Sequence, residues 1–346
     1  MSFSSQMWPN HRKYRNNTVI KLNHTHQPGR HCASTGIRDL VNFHGIAIDE
    51  PMCFGIGAGL GIWYLKDGNL PATRMIHVRS LDLEHRFFRH IRAPFAWEQS
   101  DDPQESENRL KACLDNGRPA IIQTDIYYLP YYQSSTHFPG HLITVWGYDA
   151  TKRLFYVTDT EWEGLLSVPF DDLSKARFSG GGLFDLKGNL FAPASLPPLV
   201  EPATIVSNAL AHNNRVLGDR SSPFQGLAAL DTWRDDLSRW EQFDDWQWTA
   251  RLAYQVIEKR GTGGGGFRSM YAEFLEAAAD DVRIIASLGL PEKMREAASA
   301  WRELAAALKA ASERSVPDFE QVREKLDSVR LAENDYHRTV AACRAF

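Results

Sequence analysis

The segment GRHCASTGIRD, residues 29–39, places a cysteine between a glycine-containing loop and a helical pattern. Cys32 would lie at the N-terminal end of that helix, where the backbone dipole favours a negative charge and so lowers the pKa of a thiol. The thiolate is the nucleophilic form of cysteine. A lone cysteine is nevertheless more often a small buried apolar residue. The functional interpretation therefore depends on finding a base and a group that orients it.

A histidine and an aspartate further along the chain supply those roles. His141 follows Gly140 and opens the run HLITVWGYD, and Asp159 closes the next run, RLFYVTD. A carboxylate beside a histidine holds one imidazole tautomer, as a catalytic base requires. Taken singly, each has an ordinary alternative, a strand histidine with a satisfied polar tip and a turn aspartate. The order Cys, His, Asp on a helix start, a strand start and a strand end favours a catalytic group.

The elements that must position these residues follow from the surrounding pattern. Residues 33–45 predict a short helix with one apolar face and Gly45 as its stop. Runs rich in β-branched and aromatic residues predict strands at residues 119–129, 141–149 and 153–159. The short connection at 147–152 predicts an antiparallel hairpin. Such a hairpin would bring His141 and Asp159 to the same end of the ribbon.

The composition describes an ordinary soluble globular protein. The chain has 346 residues, 43% of them hydrophobic and 24% charged, and a formal net charge of −4. This balance argues against a protein devoted to nucleic acid. The longest apolar stretch, residues 52–65, is broken by glycines and shorter than the ~20 residues of a membrane span. Without a signal-peptide pattern, and with four scattered cysteines that form no CxxC pair, the sequence predicts a reduced, cytoplasmic protein without a membrane partner.

The chain is long enough for two domains, since single cores stop growing near ~250–300 residues. Residues 187–204 are dense in proline and glycine and form the predicted boundary. We therefore expect an α+β catalytic domain at residues 1–195 and a helical lid or substrate domain at residues 205–346. The spacing of apolar residues in the second part predicts helices at residues 224–240, 246–260, 268–288, 291–312 and 317–343.

Several blocks of the first half resemble a known family. HCASTGIRDLVNFHG, FGIGAGLGIWYL, QTDIYYLPYY and HLITVWGYDATKRLFYVTDT look like the N-terminal domain of butirosin biosynthesis protein H, within the papain-like superfamily. The resemblance covers about residues 20–190. The remainder, including RGTGGGGFRSMYAEFL, resembles the uncharacterised domain that often follows it. This resemblance implies an α+β, papain-like fold, a central helix packed on an antiparallel sheet, followed by an all-helical domain.

The same resemblance implies an acyltransferase of specialised-metabolite biosynthesis that moves an acyl group from a carrier-protein thioester to an amine. It assigns the nucleophile to Cys32, the base to His141 and the orienting acid to Asp159. The chain itself would bind no cofactor; phosphopantetheine would arrive on an acyl or peptidyl carrier protein, and a small-molecule amine would accept the acyl group. Two alternatives stay open: a peptidase or amidase in which water intercepts the same acyl enzyme, and a non-catalytic binding module.

One position departs from the wider superfamily. Papain-like peptidases place an oxyanion-hole glutamine six residues before the nucleophile, where this chain has His26. We expect either that Gln27, one residue closer, serves instead, or that backbone N–H groups such as that of Cys32 hold the oxyanion.

Three further residues are candidate substrate contacts. Arg268 ends the loop GTGGGGFR, which lacks a Walker A ending; in a loop reaching over the cleft it would meet a carboxylate or the pantetheine phosphate, and otherwise the loop is a plain connector. Asp125 lies in an apolar run and would hold a substrate amine or a partner such as a core arginine. Tyr127 and its neighbouring tyrosines would line an acyl pocket or belong to the core. No metal site is expected, because the three histidines before Cys32 match no strong ligand motif.

Overall fold

A computed structural model describes residues 19–68, 70, 72–180, 185–343 and 346. Within these ranges the strands are β1 (Val19–Lys21), β2 (Leu60–Lys66), β3 (Arg74–Arg79), β4 (Ala120–Thr124), β5 (His141–Asp149), β6 (Leu154–Thr158), β7 (Leu166–Pro169) and β8 (Leu190–Phe191). The helices of the first half are α1 (Cys32–Phe43), α2 (Glu50–Ile56), α3 (Leu83–His90), α4 (Pro103–Asp115) and α5 (Phe170–Arg177). Those of the second half are α6 (Pro202–Gly218), α7 (Gly226–Asp236), α8 (Trp246–Glu258), α9 (Arg268–Ala278), α10 (Ile284–Ser287), α11 (Leu290–Ser312) and α12 (Glu320–Ala342).

The main sheet is antiparallel and has β5 at its centre. Its order is β7-β6-β5-β4-β8, and β1 pairs with the far end of β5. All nine residues of β5 are buried, which fits its nearly continuous apolar sequence. The hairpin of β5 and β6 sets Thr144 opposite Thr158, so His141 and Asp159 come to the same end of the ribbon as predicted. β2 and β3 form a separate antiparallel hairpin.

The central helix α1 packs against one face of this sheet. It begins at Cys32 and ends before Gly45, whose φ of 82° is a left-handed conformation that glycine adopts without strain. Gly36 makes the close approach to β5 possible, because a Cβ there would lie 2.4 Å from Cδ2 of Leu142. The predicted helix and its glycine stop are confirmed.

Alternate residues of the sheet enter two hydrophobic clusters. Ile121 and Leu142 face α1, α2 and the β2–β3 hairpin, and the same cluster continues through the helices of the second half. Ile122 and Ile143 face the other side, where α4 and α5 cover them. The α+β class with a helical C-terminal region is therefore confirmed, and one core connects that region to the N-terminal helices. The division after residue 195 stays a prediction.

The structure differs from the sequence-based expectations about elements in three places. The helix predicted at 268–288 is interrupted between α9 (Arg268–Ala278) and α10 (Ile284–Ser287). The strand predicted at 119–129 ends at Thr124, because the Asp125 side chain accepts a hydrogen bond from the Tyr127 N–H at 3.1 Å and starts a single 3₁₀ turn. The proline-rich boundary segment runs directly into α6, where Pro202 occupies the first turn that tolerates proline. No helix among the described residues is long and apolar enough to cross a membrane.

Candidate active site

Cys32 is the first residue of α1 and is partly exposed. The preceding residue caps the helix: Nδ1 of His31 accepts from the Ser34 N–H at 3.4 Å. Ser34 and Thr35 then continue the helix inward as buried residues. The cysteine thus occupies the helix start that its sequence predicted, with the positive end of the helix dipole behind its sulfur.

His141 and Asp159 meet as the hairpin requires, and both are at least 95% buried. Nε2 of His141 lies 2.8 Å from Oδ2 and 2.9 Å from Oδ1 of Asp159. Nε2 contacts the carboxylate, which leaves Nδ1 as the ring nitrogen available to the sulfur, and the two side chains are close enough that each shifts the pKa of the other. The structure therefore brings the three predicted residues together, while their catalytic roles stay predictions.

The electrostatics of this group favour a thiolate–imidazolium pair. Burial alone would raise the pKa of Cys32, but the hydrogen bond to His141 and the nearby positive charge lower it below its ordinary value. Burial likewise lowers the pKa of His141, but the Asp159 carboxylate outweighs it and raises that pKa to about 10. The other buried thiols behave in the opposite way: burial raises the pKa of Cys53 and of Cys113.

Two tyrosines complete the environment of Asp159. Tyr131 donates its hydroxyl to Oδ2 at 2.7 Å, and the Tyr132 hydroxyl lies 3.2 Å from Nε2 of His141 and 3.5 Å from Oδ1 of Asp159. The Thr160 N–H donates to the same carboxylate at 2.6 Å, and the Trp162 ring packs against both tyrosines. The carboxylate is thereby fixed in position and shielded from water. The run of tyrosines in the sequence was a signal for this, but sequence reasoning did not connect it with Asp159.

Two contacts of the His26 ring show the role of this residue in the segment before Cys32. Its Nδ1 lies 2.5 Å from Oδ2 of Asp39 and its Nε2 lies 2.9 Å from the Trp162 carbonyl. Both ring nitrogens are engaged, so His26 anchors the segment to α1 and is not free to hold an oxyanion. Gln27 is exposed, and its carbonyl accepts from Arg38. Its oxyanion role stays a prediction, as does that of the Cys32 N–H, which donates to no acceptor within the described residues.

Asp125 lies deep beside the loop that leads to β5. It is fully buried and accepts from Ser179 Oγ at 2.6 Å and from the Phe138 N–H at 2.8 Å, and it pairs with His137 Nδ1 at 2.7 Å. The carboxylate therefore organises the loop with a histidine partner instead of an arginine. Tyr127 is exposed and stacks on that histidine at 4.1 Å. Substrate contacts of these two residues stay predictions.

Arg268 does not fit the substrate contact expected of it. Its side chain is fully buried, and Nε lies 2.6 Å from Oε1 of Glu333. Nη1 donates to the carbonyls of Val78 at 2.9 Å and Gly266 at 2.7 Å. This placement argues for a core ion pair that fastens α9 to α12 and β3. The partner is 65 positions away in the chain, which explains why no local pattern revealed it.

A cysteine at a helix start, a histidine on the facing strand and a carboxylate in contact with that histidine form the arrangement that the sequence predicts for a papain-like cysteine enzyme, and that role stays a prediction. The family comparison gives the particular group. Residues 31–160 match the family model "Butirosin biosynthesis protein H, N-terminal", and residues 171–340 match "Domain of unknown function (DUF4872)". The chain therefore carries a butirosin biosynthesis protein H N-terminal domain followed by a DUF4872 domain. A comparison with curated proteins finds no match.

The first matched segment includes Cys32, His141 and Asp159, and it ends one residue after the carboxylate. The match of this first domain implies an enzyme of the butirosin-biosynthesis type. The second matched segment starts at residue 171, the second residue of α5, and takes in all of α6 to α11.

Proposed function

We propose that this protein transfers an acyl group from a carrier-protein thioester, through an acyl-Cys32 intermediate, to an amine in specialised-metabolite biosynthesis. The observation that carries the proposal is the Cys32–His141–Asp159 group, in which a partly exposed cysteine of lowered pKa meets a buried histidine of raised pKa. A scaffold without catalysis gains nothing from such a pair. The family assignment supports the biosynthetic setting.

The first half-reaction forms the acyl enzyme. The Cys32 thiolate attacks the thioester carbonyl carbon, and the new C–S bond gives a tetrahedral oxyanion at the start of α1. When the intermediate collapses, the bond to the carrier sulfur breaks and the His141 imidazolium gives its proton to the departing thiolate. A thioester is a suitable donor because its leaving group is itself a weakly basic thiolate.

The second half-reaction consumes the acyl enzyme. His141, now neutral, removes a proton from the amine as its nitrogen attacks the acyl carbon. The C–N bond forms, the C–S bond to Cys32 breaks, and the proton on His141 restores the starting ion pair. Asp159 holds the imidazole in the tautomer that both steps need, because its contact fixes the proton on Nε2.

The experiment uses the full chain and a panel of acyl N-acetylcysteamine thioesters as donor surrogates, with intact-mass spectrometry as readout. We expect an adduct of the acyl mass on Cys32, its absence in Cys32→Ala, and its loss on addition of a primary amine with amide product formed. An acyl adduct located on another residue would overturn the assignment. An adduct released only as free acid, whatever amine is added, would favour the hydrolase alternative.

A further inference from the structure

The two residues before the nucleophile are held by a buried carboxylate that the mechanism does not use. Glu50, at the start of α2, accepts from the backbone N–H of Arg30 at 2.9 Å and of His31 at 2.8 Å. It also accepts from the hydroxyls of Ser34 at 3.0 Å and Thr35 at 3.2 Å. Glu50 thereby connects residues 30–31, the entry segment, to the first turn of α1. These contacts fix the residue at which the helix begins and so the position of the Cys32 sulfur.

The side chain of Arg30 is held from the other domain. Its Nη1 and Nη2 donate to Oε1 and Oε2 of Glu273 on α9, at 2.7 and 2.6 Å. Such a two-bond fork fixes the guanidinium plane as well as its position. The Nε of Arg30 lies 3.8 Å from Oε2 of Glu50, at the outer limit of an ion pair. Two carboxylates from different parts of the chain therefore compete for one guanidinium.

The glycine-rich loop encloses the same segment. A Cβ at Gly263 would lie 2.5 Å from Cδ of Arg30, so the loop follows the arginine stem closely. The Phe267 ring, at the end of the loop, stacks on Phe54 at 5.1 Å and meets the His31 ring edge-on at 5.3 Å. The loop thus lies beside the two residues that precede Cys32, as expected for a loop at the site.

We infer that Glu273, on the domain of unknown function, is a positioning residue for the nucleophile: it holds the Arg30 guanidinium away from Glu50, which leaves the Glu50 carboxylate free to hold the backbone before Cys32. The inference rests on the proposed function only in taking Cys32 as the nucleophile. It gives the second domain a role in the chemistry without a substrate contact. When the Glu273 charge is absent, Arg30 turns to its other carboxylate neighbour, Glu50, whose oxygens then leave the N–H groups and hydroxyls at the start of α1.

The test measures the rate at which iodoacetamide labels Cys32 near neutral pH, together with kcat and KM for a thioester donor. In Glu273→Gln we expect labelling and kcat to fall about three- to fivefold, in the range of a half-exposed ion pair, with KM unchanged. The matched control is Glu276→Gln, one turn further along α9, where Glu276 pairs with Arg295 at 2.8 Å and is similarly exposed. That variant loses an equivalent surface pair without touching the entry segment, so its labelling rate should equal the wild type.

The double variant Arg30→Gln with Glu273→Gln isolates the competition. It removes the cation that would otherwise turn to Glu50, so we expect labelling to return most of the way to the wild-type rate. Equal rates in Glu273→Gln and Glu276→Gln, or a double variant as slow as Glu273→Gln alone, would overturn the inference. Failure of the proposed function has a different signature, in which wild-type Cys32 is labelled no faster than Cys53 and Cys113.

Discussion

The ion pairs on the two flanks of Cys32 differ in how much water reaches them. On one side, His141 and Asp159 form an ion pair whose side chains are 7% and 0% exposed, covered by tyrosines and Trp162. On the other side, Arg30 and Glu273 form a pair whose side chains are 29% and 47% exposed, at the edge of an open groove of about 1020 Å³. Both pairs have similar hydrogen-bond lengths, so the two pairs differ in their exposure to solvent and not in distance.

The difference teaches which flank sets the chemistry and which adjusts it. A charge pair out of water interacts strongly, and breaking it leaves an uncompensated buried charge. A pair that water can reach contributes little, about 0–1 kcal/mol, and is screened by salt. We therefore expect the buried flank to decide whether Cys32 is a thiolate at all, and the exposed flank to decide how well it is placed.

The largest expected effect comes from breaking the buried flank at the base. In His141→Ala, the main interaction that opposes the effect of burial on the Cys32 pKa is lost, and no group takes or gives the transferred proton. We expect kcat for acyl transfer to fall by about 10²–10⁴-fold. Iodoacetamide labelling at pH 7 should lose its preference for Cys32 over Cys53, as measured by mass spectrometry. Retained preference would mean that the helix start alone activates the thiol.

Asp159→Asn should give the next largest effect and a change of pH profile. The carboxylate is what raises the His141 pKa, so its loss moves that pKa down and the imidazolium is lost at a lower pH. In the wild type, activity should rise with pH as Cys32 ionises and fall only as His141 deprotonates, towards a pH of about 10. In the variant the falling limb moves to lower pH and kcat drops about 10- to 100-fold, equivalent to one or two pKa units. An unshifted falling limb would exclude Asp159 as the orienting acid.

Local patterns in the sequence determined the elements that carry the site, and distant contacts determined what surrounds it. β5 begins at His141 as predicted, because its nearly continuous run of apolar and β-branched residues is typical of a buried strand. The expected extension of β4 past Asp125 was wrong, because an aspartate that caps a turn looks like a strand residue until His137 and Ser179 are seen around it. The buried fate of Arg268 depends on Glu333, which no spacing rule connects to it.

Long-range pairing also explains which site residues sequence reasoning missed. Tyr131 and Tyr132 reach Asp159 only because the loop after β4 folds back over the end of β6. Glu50 reaches the segment before Cys32 only because α2 turns back against α1. The run of tyrosines is visible in the sequence but does not point to Asp159, and the single Glu50 gives no signal. Their roles come from the fold and not from a motif.

Tyr131→Phe tests the shielding of the buried flank with a smaller effect. It removes the 2.7 Å hydrogen bond to Asp159 and leaves the ring packed on Trp162. Hydrogen bonds to charged groups contribute about 1.5–3 kcal/mol, so the free energy of unfolding should fall by about that amount. Tyr156→Phe, on β6 under the Lys21 ammonium, is the matched control and should change the free energy of unfolding by less than about 0.5 kcal/mol. Chemical denaturation measures the free energy of unfolding of both variants. Equal losses in the two would show that the Tyr131 hydroxyl contributes nothing to stability.

The smallest expected effect comes from Gly263→Ala, which tests the exposed flank, with Gly45→Ala as its control. Gly263 has a φ of 65° and Gly45 a φ of 82°, so alanine at either position meets left-handed strain of about 1–2 kcal/mol. The surroundings differ: a Cβ at Gly45 has open space, whereas one at Gly263 would lie 2.5 Å from the Arg30 side chain. Both substitutions should therefore lower the unfolding midpoint similarly, but only Gly263→Ala should slow Cys32 labelling, by about twofold, because a shifted Arg30 loosens its fork to Glu273. Since Gly45 ends α1 and Gly263 faces its start, equal labelling rates in the two variants would mean that the loop stabilises the fold without placing the nucleophile.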